Sequence, residues 1–164
     1  MKIRTNFRTA LRWFLGVLFI WAAISKLANP SQFHASIVAY EMPLPDVLTR
    51  LAAMTMPWLE LFCGLMLLAN VWIESALALT LLMYAGFICA TGQAWVRGLD
   101  ISCGCFDLRI IGLDAHSPTV MFIDSARFAF FRNIALTGAA VHLLISALRR
   151  MRGARAEAPM KGSG

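Results

Sequence analysis

Residues 75–96 form a run of 22 amino acids without a single charge. A bilayer's hydrocarbon core is about 30 Å thick and takes about 20 apolar helical residues to cross. Inside lipid every backbone N–H and C=O must be satisfied within the chain, so such a run has to be a helix unless it joins a closed barrel. Three further stretches share this character: about Arg8–Ala28, in which Trp13–Ser25 is free of charge, Asp46 to about Asn70, and about Arg127 to Leu148. The expected fold is all-α, a polytopic membrane protein whose residues 1–150 make a four-transmembrane-helix bundle. Residues 151–164, basic and then small and polar, are expected to be a disordered tail.

Charge decides the orientation expected for the bundle. Only 15% of residues are charged, against about 25% in soluble domains. The net charge of +6 raises nucleic acid as a partner, but the basic residues do not form a binding face. Nine of the fifteen Lys and Arg lie at the chain's two ends: Lys2, Arg4, Arg8 and Arg12, then Arg149, Arg150, Arg152, Arg155 and Lys161. They flank apolar spans as the positive-inside rule describes. Both termini are therefore expected in the cytoplasm of a bacterial inner membrane, the lipid bilayer is a partner, and nucleic acid is not. The two opposite loops are acidic, one with Glu41 and Asp46, the other with Asp100, Asp107, Asp114 and Asp124. Trp13 and Trp72 mark the cytoplasmic interface and Trp95 the outer one. A basic start before an apolar run also describes a signal peptide, but no A-x-A site follows and Lys26 sits where a cleavage region is small and neutral, so no cleavage is expected.

Turn residues divide the spans. Asn29-Pro30-Ser31 ends the first, after which Phe33, Ile37 and Tyr40 recur at helical spacing and predict a short helix on the membrane interface. Met42-Pro43-Leu44-Pro45 is a rigid turn, and Asp46 suits a helix start. Pro57 and Glu60 interrupt the second span. Asn70-Val71-Trp72-Ile73 is a tight turn into the third.

The acidic loop between the third and fourth spans carries Cys103-Gly104-Cys105-Phe106. Cα atoms two residues apart lie roughly 5.5–7 Å from each other, and disulfides favour about 4.4–6.8 Å. A Cys103–Cys105 bond is thus reachable but strained, and strained exposed disulfides tend to be the labile ones. Gly104 lends the ring its conformational freedom. On the expected side of the membrane, disulfides form and persist. Three readings stay open: a redox-active pair, a structural disulfide, or two thiolates on a soft ion such as Cu(I), with His116 folding back. Cys63 and Cys89, inside the second and third spans, read as small apolar core residues.

Polar residues inside a membrane are functional candidates by default. Lys26, near the outer end of the first span, has the bland alternative of snorkelling. Glu60, about ten residues into the second, is too deep for that and needs a proton or a partner. Lys26 is the expected partner, joining the first two spans. Arg132 and Asn133 lie about a turn inside the fourth span, where Arg132 serves either function or a structural tie to Glu60 or a backbone carbonyl.

Several of these stretches together resemble the MauE/DoxX-like family of small four-helix membrane proteins. They are Ser25-Lys26-Leu27 with Phe33 and Tyr40 ahead of Pro43; Pro57-Trp58-Leu59-Glu60-Leu61 with Gly64; Trp95-x-Arg97-Gly98 leading into Cys103-Gly104-Cys105-Phe106; and Arg132-Asn133. The likeness covers about residues 10–148. In the MauE branch it implies methylamine utilisation, where a thioredoxin-like partner is helped to form the disulfides of the methylamine dehydrogenase small subunit. DoxX-like members imply quinone-dependent oxidation. Asp107 departs from the family's usual glycine, and a carboxylate beside a thiol disfavours the thiolate.

The resulting expectation is a membrane redox protein in which Cys103 and Cys105 exchange disulfides with a periplasmic thioredoxin-like protein or a secreted client. Electrons would leave to a quinone near Trp95, Arg97 and Arg132, and Lys26, Glu60 and Asn133 form the intramembrane polar set. A homo-oligomer is compatible with such a bundle. The competing expectation is a non-catalytic anchor or maturation partner of a respiratory, quinone-linked complex. A proton-coupled transporter using Glu60 is disfavoured by four spans without a repeat.

Overall fold

A computed structural model describes residues 2–99 and 125–157. Its elements are α1 (Lys2–Ala28), α2 (Pro30–Ala39), α3 (Asp46–Ala69), α4 (Ile73–Val96) and α5 (Ala126–Glu157). Four of them, over Asn6–Ala28, Asp46–Ala69, Ile73–Val96 and Arg127–Arg152, are long and apolar enough to cross a membrane. The all-α, four-span architecture expected from the apolar runs is present. The last helix runs further than expected: residues 151–157, assigned to a disordered tail, continue α5 through Glu157.

The helix boundaries follow local chemistry. Asn29 leaves the helical region (φ −134°, ψ 70°) and Pro30 then opens α2, where a missing N–H costs nothing. Asn70 closes α3 in the left-handed conformation (φ 61°), which asparagine tolerates better than most residues. The Val71 N–H bonds back to the Met66 carbonyl at 3.2 Å. Pro57 does not interrupt α3, contrary to expectation. The helix is continuous through it and Pro57 is itself buried, so one lost i→i−4 bond is outweighed by the packing of α3 as a whole.

The main packing pairs are α1 with α3 and α4 with α5. A single core of Leu15, Phe19, Cys63, Leu67, Leu77, Met83, Tyr84, Leu136 and Leu143 draws on all four long helices. Large apolar side chains such as Phe14, Val17, Met54, Leu82 and Ile134 point outward, as a helix in lipid requires. Cys89 is among the outward residues rather than in the core expected for it, while Cys63 is fully buried. In lipid both faces of a span are apolar, so a small thiol is tolerated on either.

The α1–α3 contact is unusually close. A Cβ at Gly64 would stand 2.9 Å from the Gly16 carbonyl oxygen and 3.2 Å from the Ile20 nitrogen, both backbone atoms that cannot swing aside. Small residues at such crossings let backbones approach, which is how helices associate when lipid removes the hydrophobic drive between them. Gly64→Ala is expected to lower stability by about 1–3 kcal/mol through overpacking. Gly86→Ala, whose Cβ would meet nothing within 4 Å, should be neutral or slightly stabilising. Thermal unfolding of both variants in detergent checks the contrast.

The short α2 does not lie free on the interface. Its Phe33 and Ile37 pack with Ala52, Ala53 and Met56 in the first half of α3. Alanines at 52 and 53 leave the room for this, and the result shields the end of α1 from that side.

Candidate functional site: a polar cluster buried between the helices

Lys26 is the basic residue of the last turn of α1, where a cation complements the helix dipole. α2 packing on α3 leaves it 2% exposed, so it does not snorkel. Its Nζ donates to Glu60 Oε1 in a buried salt bridge. Glu60 is 4% exposed and sits fourteen residues beyond Asp46, roughly 21 Å along α3. Nζ also lies 5.1 Å from the centroid of the Phe33 ring and 5.0 Å from that of Phe87. Two aromatic faces at this range attract a desolvated ammonium. Three elements besides α1 thus close on one lysine.

The pair borders a space of about 30 Å³ lined also by Phe19, Tyr84, Arg132 and Asn133. Asn133 is 3% exposed, and its Nδ2 meets no hydrogen-bond partner among the described residues. A space of this volume admits one or two waters, which would serve such a donor. α5 therefore delivers Arg132 and Asn133 to the pair that joins α1 and α3. Their adjacency was legible from spacing. Tyr84, Phe33 and Phe87 were not, since an aromatic residue in an apolar span carries no sign of which neighbour it meets.

The residues expected around a quinone are dispersed. Trp95 packs on Phe130 and Phe131, each at 5.5 Å between ring centroids. Arg97 pairs with Glu41 at 2.7 Å and also donates to the Glu41 carbonyl at 3.1 Å. Arg132 lines the small space beside Lys26 and Glu60. Among the described residues, the contacts of Trp95, Arg97 and Arg132 are with different neighbours and do not gather the three around one space.

Arg97 has a different role in the geometry. With Gln93, whose Nε2 donates to the Tyr40 carbonyl at 2.6 Å, it ties the end of α4 to the α2–α3 connection. The exposed Arg97–Glu41 pair contributes only about 0–1 kcal/mol. It lies at the end of α4, just before the segment that carries Cys103 and Cys105 in the sequence. Cys103 and Cys105 themselves lie outside the described residues. Among the described residues no group of three His, Cys, Asp or Glu is placed to hold a metal ion.

Residues 4–146 match the family model of the methylamine utilisation protein MauE. A protein of Paracoccus denitrificans described as methylamine utilization protein MauE is 33% identical over 99 residues, 59% of this chain and 52% of that protein. Its counterpart in Paracoccus versutus is 39% identical over 100 residues, with the same coverage of 59% and 52%. The chain spans about half the length of these relatives in the matched region. No solved structure matches.

Proposed function

The chain belongs to the MauE family, and from that premise we propose that it is an accessory membrane protein of methylamine utilisation or a closely related maturation route. In this reading it lies in the bacterial inner membrane with both termini cytoplasmic and the loop between α4 and α5 in the periplasm. Cys103 and Cys105 are its working groups. The observation that carries the reading is the Cys103-Gly104-Cys105 spacing, inside the family match and following an α4 end that Arg97 and Gln93 tie to Glu41 and Tyr40.

The chemistry is thiol–disulfide exchange. A client thiolate attacks one sulfur of the Cys103–Cys105 bond, forming a mixed disulfide and releasing the other sulfur as a thiolate. The client's second thiolate then attacks the mixed disulfide. The client leaves oxidised, and the pair is left as a dithiol carrying the two electrons. A respiratory two-electron acceptor returns the pair to the disulfide. The client is a thioredoxin-like protein or a secreted protein directly.

The alternative is a non-catalytic anchor or maturation partner of a respiratory complex, with the CGC bond as a staple. It is favoured by the buried Lys26–Glu60 salt bridge, which joins α1 to α3 as a structural tie would. Acid quenching and thiol alkylation of intact cells separate the two. A pair that is oxidised during respiration and accumulates as the dithiol when respiration is inhibited supports exchange. A pair that stays oxidised under both conditions overturns it in favour of the anchor.

A further inference from the structure

The end of the bundle where α4 begins has a cleft of about 370 Å³ between α1, the start of α4 and the end of α5. Arg8 and Arg12 enter it from α1, Arg150 from α5 and Glu74 from α4, with Asn70 and Ser146 between them. Among the described lining residues, three guanidinium groups share the cleft with one carboxylate. Arg8 and Arg12 are four residues apart on one helix face, a spacing at which like charges repel. The Nη1 atom of Arg12 is buried and has no hydrogen-bond partner among the described residues. A buried guanidinium donor without an acceptor is costly, and an anion seated between the arginines would relieve both penalties.

The height of the cleft says which anion. Trp13 follows Arg12 and Trp72 precedes Ile73, a lining residue, and both indoles are exposed, 51% and 72%. Exposed tryptophans on membrane helices settle at the level of the lipid headgroups. We propose that this cleft binds the phosphodiester headgroup of an anionic phospholipid. Arg12 and Arg150 grip the phosphate oxygens by charge-assisted hydrogen bonds. Asn70 and Ser146 meet the glycerol hydroxyls, and the acyl chains run down the apolar outer faces of the bundle. A bound lipid would then clamp α1 to α5, helices that otherwise touch little.

The test is thermal unfolding of the purified full-length chain in a non-ionic, phosphate-free detergent. It is titrated separately with phosphatidylglycerol, phosphatidylcholine and inorganic phosphate, because a ligand of the folded state raises Tm saturably. Phosphatidylglycerol should raise Tm with an apparent affinity about tenfold or more above phosphatidylcholine, and millimolar phosphate should do nothing. Arg12→Gln and Arg150→Gln should each weaken the phosphatidylglycerol response about tenfold. Arg149→Gln, next door but outside the cleft, should not. Arg150 is exposed, so its replacement reads the site even if Arg12→Gln fails to fold. Equal responses to the two lipids, an unchanged Arg150→Gln, or an equal loss in Arg149→Gln would overturn the site. A saturable response to phosphate alone would overturn the lipid as its ligand.

Discussion

Glu60→Ala is expected to destabilise the bundle by about 3–5 kcal/mol, the cost of leaving one member of a buried ion pair without its partner. Lys26 is 2% exposed, with aromatic rings on two sides and α2 across the end of α1. When its carboxylate is removed, the buried ammonium is left without its ionic partner. The double variant Lys26→Met/Glu60→Leu should recover most of the loss, since exchanging a buried pair for apolar residues of similar volume is often neutral or stabilising. Unfolding of the single and double variants in detergent reads this directly. A double variant no more stable than Glu60→Ala would mean that Lys26 is accommodated by some other acceptor, with Glu60 contributing through packing alone. A recovered double variant also tests the cluster's purpose. If it still supports client oxidation, the pair holds α1 to α3 and has no part in the chemistry.

Cys103→Ser and Cys105→Ser should each reduce client disulfide formation to background while leaving membrane insertion unchanged. A two-electron exchange needs both sulfurs, because a single cysteine can form a mixed disulfide but cannot complete the oxidation. The other two cysteines cannot substitute. Cys63 is fully buried in the core and Cys89 lies on α4 facing outward, well inside its span. The readout is the disulfide content of the proposed client, by alkylation and non-reducing electrophoresis, with membrane levels of each variant measured in parallel. Normal client disulfides in both variants at normal membrane levels would exclude the exchange mechanism. A Ser variant that still inserts but retains its client in a stable mixed disulfide would identify which sulfur is attacked.

Both results turn on how much of the molecule is written in one dimension. The four spans were legible because bilayer thickness sets a length and backbone satisfaction sets a conformation, so 22 uncharged residues at 75–96 have few alternatives. The Asn29-Pro30 break and the Asn70 turn were legible from backbone sterics. The Lys26–Glu60 pair was legible because a carboxylate at mid-span has to find a partner and few cations are in reach. The continuation of α5 to Glu157 was not, since polarity alone does not say whether a helix stops where it leaves the lipid.

What only the tertiary structure decided is which face of each helix meets protein and which meets lipid. In water, periodic hydrophobicity points to the core, but in a bilayer the outer face is apolar too, and the signal is lost. Leu82 and Leu77 look alike in the sequence, yet one faces outward and the other is fully buried. The same ambiguity hid the Gly16–Gly64 approach, the two rings around Lys26 and the seating of α2 on Ala52 and Ala53. It also hid the convergence of Arg8, Arg12 and Arg150 around one cleft. Length and charge determined that this chain crosses the membrane four times. Close packing, which depends on shape across helices distant in sequence, determined which polar groups meet inside it.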